Sequence, residues 1–123
     1  MALLESGEMY LETILILSRK KSYVRAVDIG EYMGYSKPSV SRAMGLLKNG
    51  GYVTINEDGH ISLTDPGREV AETILERHNV LSEILESLGV DPETAVHDAC
   101  KMEHYISDVS FQALKRHFAS LRG

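Results

Sequence analysis

At 123 residues, 43% hydrophobic and 25% charged, the chain is long enough for one compact core or two small subdomains, and its composition is that of an ordinary globular protein. Its single cysteine excludes an internal disulfide and suits a reducing cytoplasm; the start, Met1-Ala2-Leu3-Leu4-Glu5, lacks the basic region of a signal peptide, and no run approaches the roughly 18 apolar residues of a membrane span. The net charge of −5 is divided unevenly: residues 19–49 hold seven cations against two carboxylates and residues 64–108 three against eleven, which suits an anionic partner for the first stretch and a cation for the second.

Leu4, Leu11, Ile14, Leu15 and Leu17 recur at helical spacing and predict an amphipathic helix over residues 4–18. Met9 and Glu12 lie three apart on it and face the same way. After a turn at Lys20-Lys21-Ser22-Tyr23, residues 26–33 predict a short helix packing Ile29 and Met33 inward and ended by Gly34 in the left-handed conformation. Ser36 is placed to cap a second helix, with Pro38 in its first turn, an apolar stripe of Val40, Ala43, Met44 and Leu47, and Gly50-Gly51 as its stop. Two short helices joined by a Gly-containing turn make a helix-turn-helix. The second helix would expose Lys37, Ser39, Ser41, Arg42 and Lys48, a cationic face without a carboxylate that suits double-stranded DNA. An αα-hairpin inside a larger helical domain is the alternative.

Val53 and Ile55, then Ile61 and Leu63, alternate with polar residues around the turn signal Asp58-Gly59 and predict a β-hairpin. Such a ribbon is marginal alone and must lean on the helices. A helix-turn-helix followed by a hairpin is the winged-helix order. Thr64 and Pro66 open a long helix reaching about Leu88, with Val70, Ile74, Leu81, Ile84 and Leu85 as apolar positions and Gly89 as its stop. Asp91-Pro92 opens the next helix, expected to continue to about Ile106. On that continuous helix His97, Cys100, Glu103 and His104 share one face, offering imidazole, thiolate and carboxylate to a divalent transition metal. A small core cysteine with histidines on a wet rim is the bland alternative. The spacing is not that of a zinc finger, and no phosphate loop, nucleophile motif or acid–base pair points to an enzyme. Ser107 caps a last helix with Val109, Leu114 and Phe118 as apolar positions.

The stretches Glu8-Met9-Tyr10-Leu11-Glu12-Thr13-Ile14, Ser36 to Leu47, Leu63-Thr64-Asp65-Pro66-Gly67-Arg68, Arg77-His78 and Cys100-Lys101-Met102-Glu103-His104-Tyr105-Ile106-Ser107-Asp108 together resemble the diphtheria-toxin-repressor family of metal-dependent transcriptional regulators. The resemblance covers nearly the whole chain. It implies a mainly α fold, with a winged-helix DNA-binding domain over residues 1–72 and a helical metal-binding and dimerisation domain over residues 73–123. It also implies a non-enzymatic, metal-dependent repressor whose homodimer binds a palindromic operator controlling metal homeostasis. Residue by residue, Met9 and Cys100 match ligands of the family's iron-responsive branch and Glu12 a carboxylate ligand of its manganese-responsive branch. His78, Glu103 and His104 match ligands of both. With His97 from the shared helix face, the expected metal set is Met9, Glu12, His78, His97, Cys100, Glu103 and His104, with iron(II) favoured and manganese(II) next.

The chain departs from the family at Ser82, where a glutamate is common, at Val96, where the iron branch has a second histidine and His97 falls one residue late, and in ending at Gly123, which implies the short form without an SH3-like domain. Arg25, Ser36, Lys37, Pro38, Ser39, Ser41, Arg42 and Lys48 make up the expected DNA-binding set, the cations contacting phosphates and the serines with Arg42 reading base edges. The competing reading of function is a winged-helix repressor with a redox or small-ligand sensor at Cys100 and no physiological metal.

Overall fold

The structure is a computed structural model that describes residues 4–122; Met1, Ala2 and Leu3 of the expected first domain and Gly123 of the second lie outside the described residues. Its elements in order are α1 (Glu5–Ser18), α2 (Ala26–Met33), α3 (Lys37–Asn49), β1 (Val53–Ile55), β2 (Ile61–Leu63), α4 (Asp65–Ser87), α5 (Pro92–Met102) and α6 (Asp108–Arg122). They form two compact units, Met1–Thr73 and Ile74–Gly123. The helix α4 begins in the first and continues into the second. Among the described residues, no helix is long and apolar enough to cross a membrane.

The first unit is a winged helix. Helix α1 buries Leu11, Ile14, Leu15 and Leu17, packing against α2, α3 and β2, whereas Leu4, expected in the same stripe, precedes the helix as its N-cap and is exposed. Gly34 ends α2 with φ of 74°, a conformation that costs an L side chain but not glycine. Its N–H and that of Tyr35 both donate to the Gly30 carbonyl, at 2.8 and 3.1 Å. The tight turn delivers Ser36 as the N-cap of α3, its Oγ accepting the Ser39 N–H. Val40, Met44 and Leu47 then face inward, while Ala43 is only half-buried.

The wing pairs β1 and β2 antiparallel, with Val53 opposite Leu63 and Ile55 opposite Ile61. Its loop is organised by Asn56 as much as by Asp58-Gly59: the Asn56 side chain accepts the N–H groups of both Asp58 and His60 at 2.9 Å. A feature absent from the expectation is a third strand contact, where Val24 bridges Ile61. One bridging residue carries no periodicity to read, yet Val24 is 1% exposed and ties the segment before α2 to the wing.

The second unit packs Leu81 of α4, Ala99 of α5 and Phe111 of α6 into one cluster, with Val80 and Ile106 against it. Asp91 caps α5 by accepting the Thr94 N–H at 2.9 Å, and that bond holds its carboxyl below the usual carboxylate range. The Ser107 Oγ likewise accepts the Ser110 N–H at the start of α6. Two expectations are corrected here. Helix α5 stops at Met102 instead of continuing to Ile106, so Glu103 and His104 sit in the turn between helices and not on a continuous helix face with His97. In α6, Val109 and Leu114 are exposed and Phe111 takes the core position. Residues 109 and 111 are two apart, hence on nearly opposite sides of a helix. Burying a side chain as large as Phe111 stabilises by about 1.5–3 kcal/mol, enough to set the phase of the helix.

Gly67, in the first turn of α4, lies against the backbone of Tyr52, whose carbonyl accepts the Thr64 N–H at 3.1 Å. A Cβ at residue 67 would overlap that carbonyl oxygen. Gly67→Ala is therefore expected to destabilise the first unit by at least the ~1–3 kcal/mol of an overpacked core. Thermal unfolding checks this, and an unchanged midpoint would contradict the close approach.

Candidate metal centre and nucleic-acid interface

The sequence places His78 on α4 and Glu103 twenty-five residues later, and the fold of the second unit brings them together. Glu103 caps the C-terminus of α5 with helical angles (φ −60°, ψ −25°) and is 0% exposed. A carboxylate taken out of water in this way loses several kcal/mol of hydration, which only close positive or hydrogen-bonding partners offset. Each oxygen faces an imidazole. Oε2 lies 2.9 Å from Nδ1 of His78, and Oε1 lies 3.3 Å from Nε2 of His104, whose ring is fully enclosed. The His78 nitrogen and the Glu103 carboxylate lie at a spacing that suits a first-row divalent ion, while His104 lies against the other oxygen; neutral imidazole is the form that ligates.

The turn carrying Glu103 and His104 is held from α4. Nη1 of Arg77 donates to the carbonyl oxygens of Glu103 at 3.2 Å and Ile106 at 3.0 Å. The guanidinium lies 5.6 Å from the centre of the Phe111 ring. Glu103 is the C-cap of α5 and Ile106 lies in the turn beyond it, where no further turn of α5 supplies partners for their carbonyls. Arg77 supplies donors instead, which accounts for the helix ending earlier than expected. A sequence scan passes over such a residue. It is visible only as the neighbour of His78 in the resemblance motif.

Cys100 lies one turn before Glu103 on α5 and is half-buried. His97 is exposed on the same helix, and so is Val96. Ser82, at the position where the family often has glutamate, is buried, and its Oγ has no hydrogen-bond partner among the described residues. Met9 and Glu12 are half-buried on α1 in the first unit. Thr13 beside them donates its hydroxyl to the Met9 carbonyl at 2.9 Å.

On α3, the inward stripe of Val40, Met44 and Leu47 leaves Lys37, Pro38, Ser39, Ser41, Arg42 and Lys48 exposed, with Ser36 exposed at its cap. Arg25 is exposed at the start of α2, its guanidinium 5.2 Å from the centre of the Tyr23 ring and 3.5 Å from Nε2 of His60. Tyr23 and His60 stack face to face at 4.0 Å. Neither ring was a candidate from the sequence, because the stack joins residues 37 apart through the Val24–Ile61 bridge. Lys21, in the turn before α2, is paired with Asp28 at 3.0 Å. The Asp28 carboxyl is held below its usual range, first by the Arg25 N–H and then by Lys21. With the folded value lowered, its stabilisation is present at neutral pH and is lost as pH falls through that value.

Residues 2–61 match the model of the iron dependent repressor N-terminal DNA binding domain, and residues 64–122 that of the iron dependent repressor metal binding and dimerisation domain. The transcriptional regulator MntR of Escherichia coli is 33% identical over 106 residues, covering 86% of this chain and 68% of that protein. The HTH-type regulator MntR of Geobacillus thermodenitrificans is 31% identical over 102 residues, 83% of this chain and 72% of that one. Among solved structures, a manganese-dependent transcriptional repressor in complex with manganese superposes with a TM-score of 0.83 at 25% identity. The manganese regulator SloR superposes at 0.81 and 24%, a likeness of fold. Each of these structures is covered to about half its length, 52% and 53%, by 92% of this chain. With both domain models matched in sequence order, the chain belongs to the iron-dependent repressor family.

Proposed function

We propose that the chain is a metal-dependent transcriptional repressor that acts as a homodimer, binding DNA through residues 1–72 and metal through residues 73–123. The observation that carries this reading is the buried Glu103 carboxylate with an imidazole nitrogen against each oxygen. A divalent ion there would neutralise Glu103 and accept lone pairs from His78 and His104. Cys100 is one turn away on α5 and His97 is the outermost candidate. From the family resemblance, Met9 and Glu12 supply further ligands from α1. Metal bound there would favour the geometry of the dimer competent for DNA. The similar proteins, transcriptional regulators and a manganese-dependent transcriptional repressor, support the same reading.

The exposed face of α3 supplies the DNA contacts. Lys37, Arg42, Lys48 and Arg25 reach phosphates, and Ser36, Ser39, Ser41 and Arg42, with Pro38 opening the helix, meet base edges in the major groove. Two such helices in a dimer suit a palindromic operator with half-sites about 34 Å apart. Tyr105, Val109 and Leu121, large apolar residues left exposed around α6, are the surface expected to pair two copies.

Iron(II) is the favoured ion because the Cys100 thiolate and Met9 thioether are soft ligands, whereas manganese(II) prefers oxygen. Manganese is the second reading, favoured by Glu12, by Glu103 and by the names of the relatives. The test is operator binding under anaerobic conditions and at fixed salt, titrated with iron(II) or manganese(II) and reversed with chelator. Binding that chelator leaves intact would remove the metal from the mechanism. The wild type is expected to respond to iron at the lower concentration, and Cys100→Glu combined with Met9→Asp is expected to narrow or reverse the gap. A wild type answering manganese at the lower concentration would overturn the iron preference.

Arg42→Ala is expected to weaken operator binding by the ~1–3 kcal/mol of a lost base contact while metal binding is unchanged. Equal loss of both in the same titrations would mean that the fold, and not a DNA contact, had been damaged.

A further inference from the structure

In the second unit the ligand-bearing residues come from two places. His78 rides on the long regular helix α4, while Glu103 is the last helical-angled residue of α5 and His104 rides on the turn beyond it. The distance between them therefore depends on whatever pins that turn to α4. One side chain does so at two points. Nη1 of Arg77, the residue before His78, donates both to the Glu103 carbonyl and to the Ile106 carbonyl. These two acceptors bracket His104. The Arg77 side chain is 14% exposed, so the bonds are largely shielded from competing water. Nη2 lies 3.7 Å from an Asp108 oxygen at the start of α6, and the Phe111 ring backs the guanidinium, so the group has little freedom to swing away.

We propose that Arg77 is a positioning residue of the metal centre. By holding the carbonyls of Glu103 and Ile106, it sets the carboxylate of Glu103 and the ring of His104 at bonding distance from the ion that His78 also meets. It touches no ligand atom. It acts on the main chain that carries two of them, and its own place is set by the same helix turn that presents His78. The inference rests on His78, Glu103 and His104 being ligands. Losing an outer group that orients a ligand lowers metal affinity by about 10–100-fold, and an effect in that range is expected here.

The test uses the full chain as a dimer and cobalt(II), whose visible absorption reports both occupancy and coordination number. Arg77→Met fills similar space without donors. It is expected to lower cobalt affinity by at least ~10-fold and to change the shape of the absorption at saturation, with circular dichroism and dimer mass unchanged. A purely structural role would shift the unfolding midpoint and leave the spectrum of the bound ion as it was. Arg77→Lys keeps the charge but loses the planar fork and some reach, so its affinity should fall between wild type and Arg77→Met. His78→Ala is measured alongside. If it loses cobalt while Arg77→Met binds as wild type does, the positioning role is overturned and the metal centre stands. If His78→Ala itself binds as wild type does, the centre is misassigned and the inference goes with it. Wild-type affinity and spectrum in Arg77→Lys would also overturn the proposal, which keeps the test decisive should Arg77→Met fail to fold.

Discussion

A carboxylate with no exposed surface needs a close partner, and the buried Glu103 carboxylate has a hydrogen-bonded one, His78 at Oε2, while Oε1 has no hydrogen-bond partner among the described residues. Its partners explain much of the second unit. His78 and His104 stand against its two oxygens, and Arg77 takes its carbonyl, which ends α5 one turn before the apolar pattern would. Ile106 is drawn against the core of Leu81, Ala99 and Phe111 by the same turn. A well-packed apolar side chain would stabilise the unit better than a buried charge between two imidazoles. Keeping a carboxylate there makes sense if the unit must hold a cation, which is the physical basis of the functional reading.

Much of the fold was legible because the local signals agreed. Gly34, Ser36 and Pro38 each act where their backbone chemistry requires, and the alternation in Val53–Ile55 and Ile61–Leu63 sets a hairpin in the register observed. What escaped was decided by tertiary contacts. The Val24–Ile61 bridge involves a single residue. The phase of α6 turned on Phe111 and not on Val109 or Leu114, since one large ring outweighs two smaller apolar side chains when only one face can be covered. The stop of α5 depended on an arginine 26 residues upstream. For the site, His97, Cys100, Glu103 and His104 stood out by spacing alone, but that spacing assumed a helix that the chain does not continue. The link to His78 came only through the family resemblance, because residues 25 apart carry no periodic signal.

The two halves of the chain divide charge as they divide chemistry. The exposed cations of α3 sit on a helix with no carboxylate in its sequence, and residues 64–108, which carry His78, Glu103 and His104, hold eleven carboxylates against three cations. In the proposed mechanism the soft pair, Met9 and Cys100, and the hard pair, Glu12 and Glu103, pull metal preference in opposite directions. Affinity order and availability would together decide which ion is read.

The most direct measurement is the anaerobic stoichiometry of bound iron(II) and manganese(II) in the wild type and in Glu103→Gln, after equilibrium dialysis at a concentration that just saturates the wild type. Glutamine keeps the shape of the side chain, removes its charge and puts an amide NH2 in place of one acceptor oxygen. A carboxylate-centred site requires that the wild type hold the ion and that Glu103→Gln, folded and dimeric, release most of it. Full occupancy in Glu103→Gln would contradict the assignment of this buried carboxylate as the metal centre.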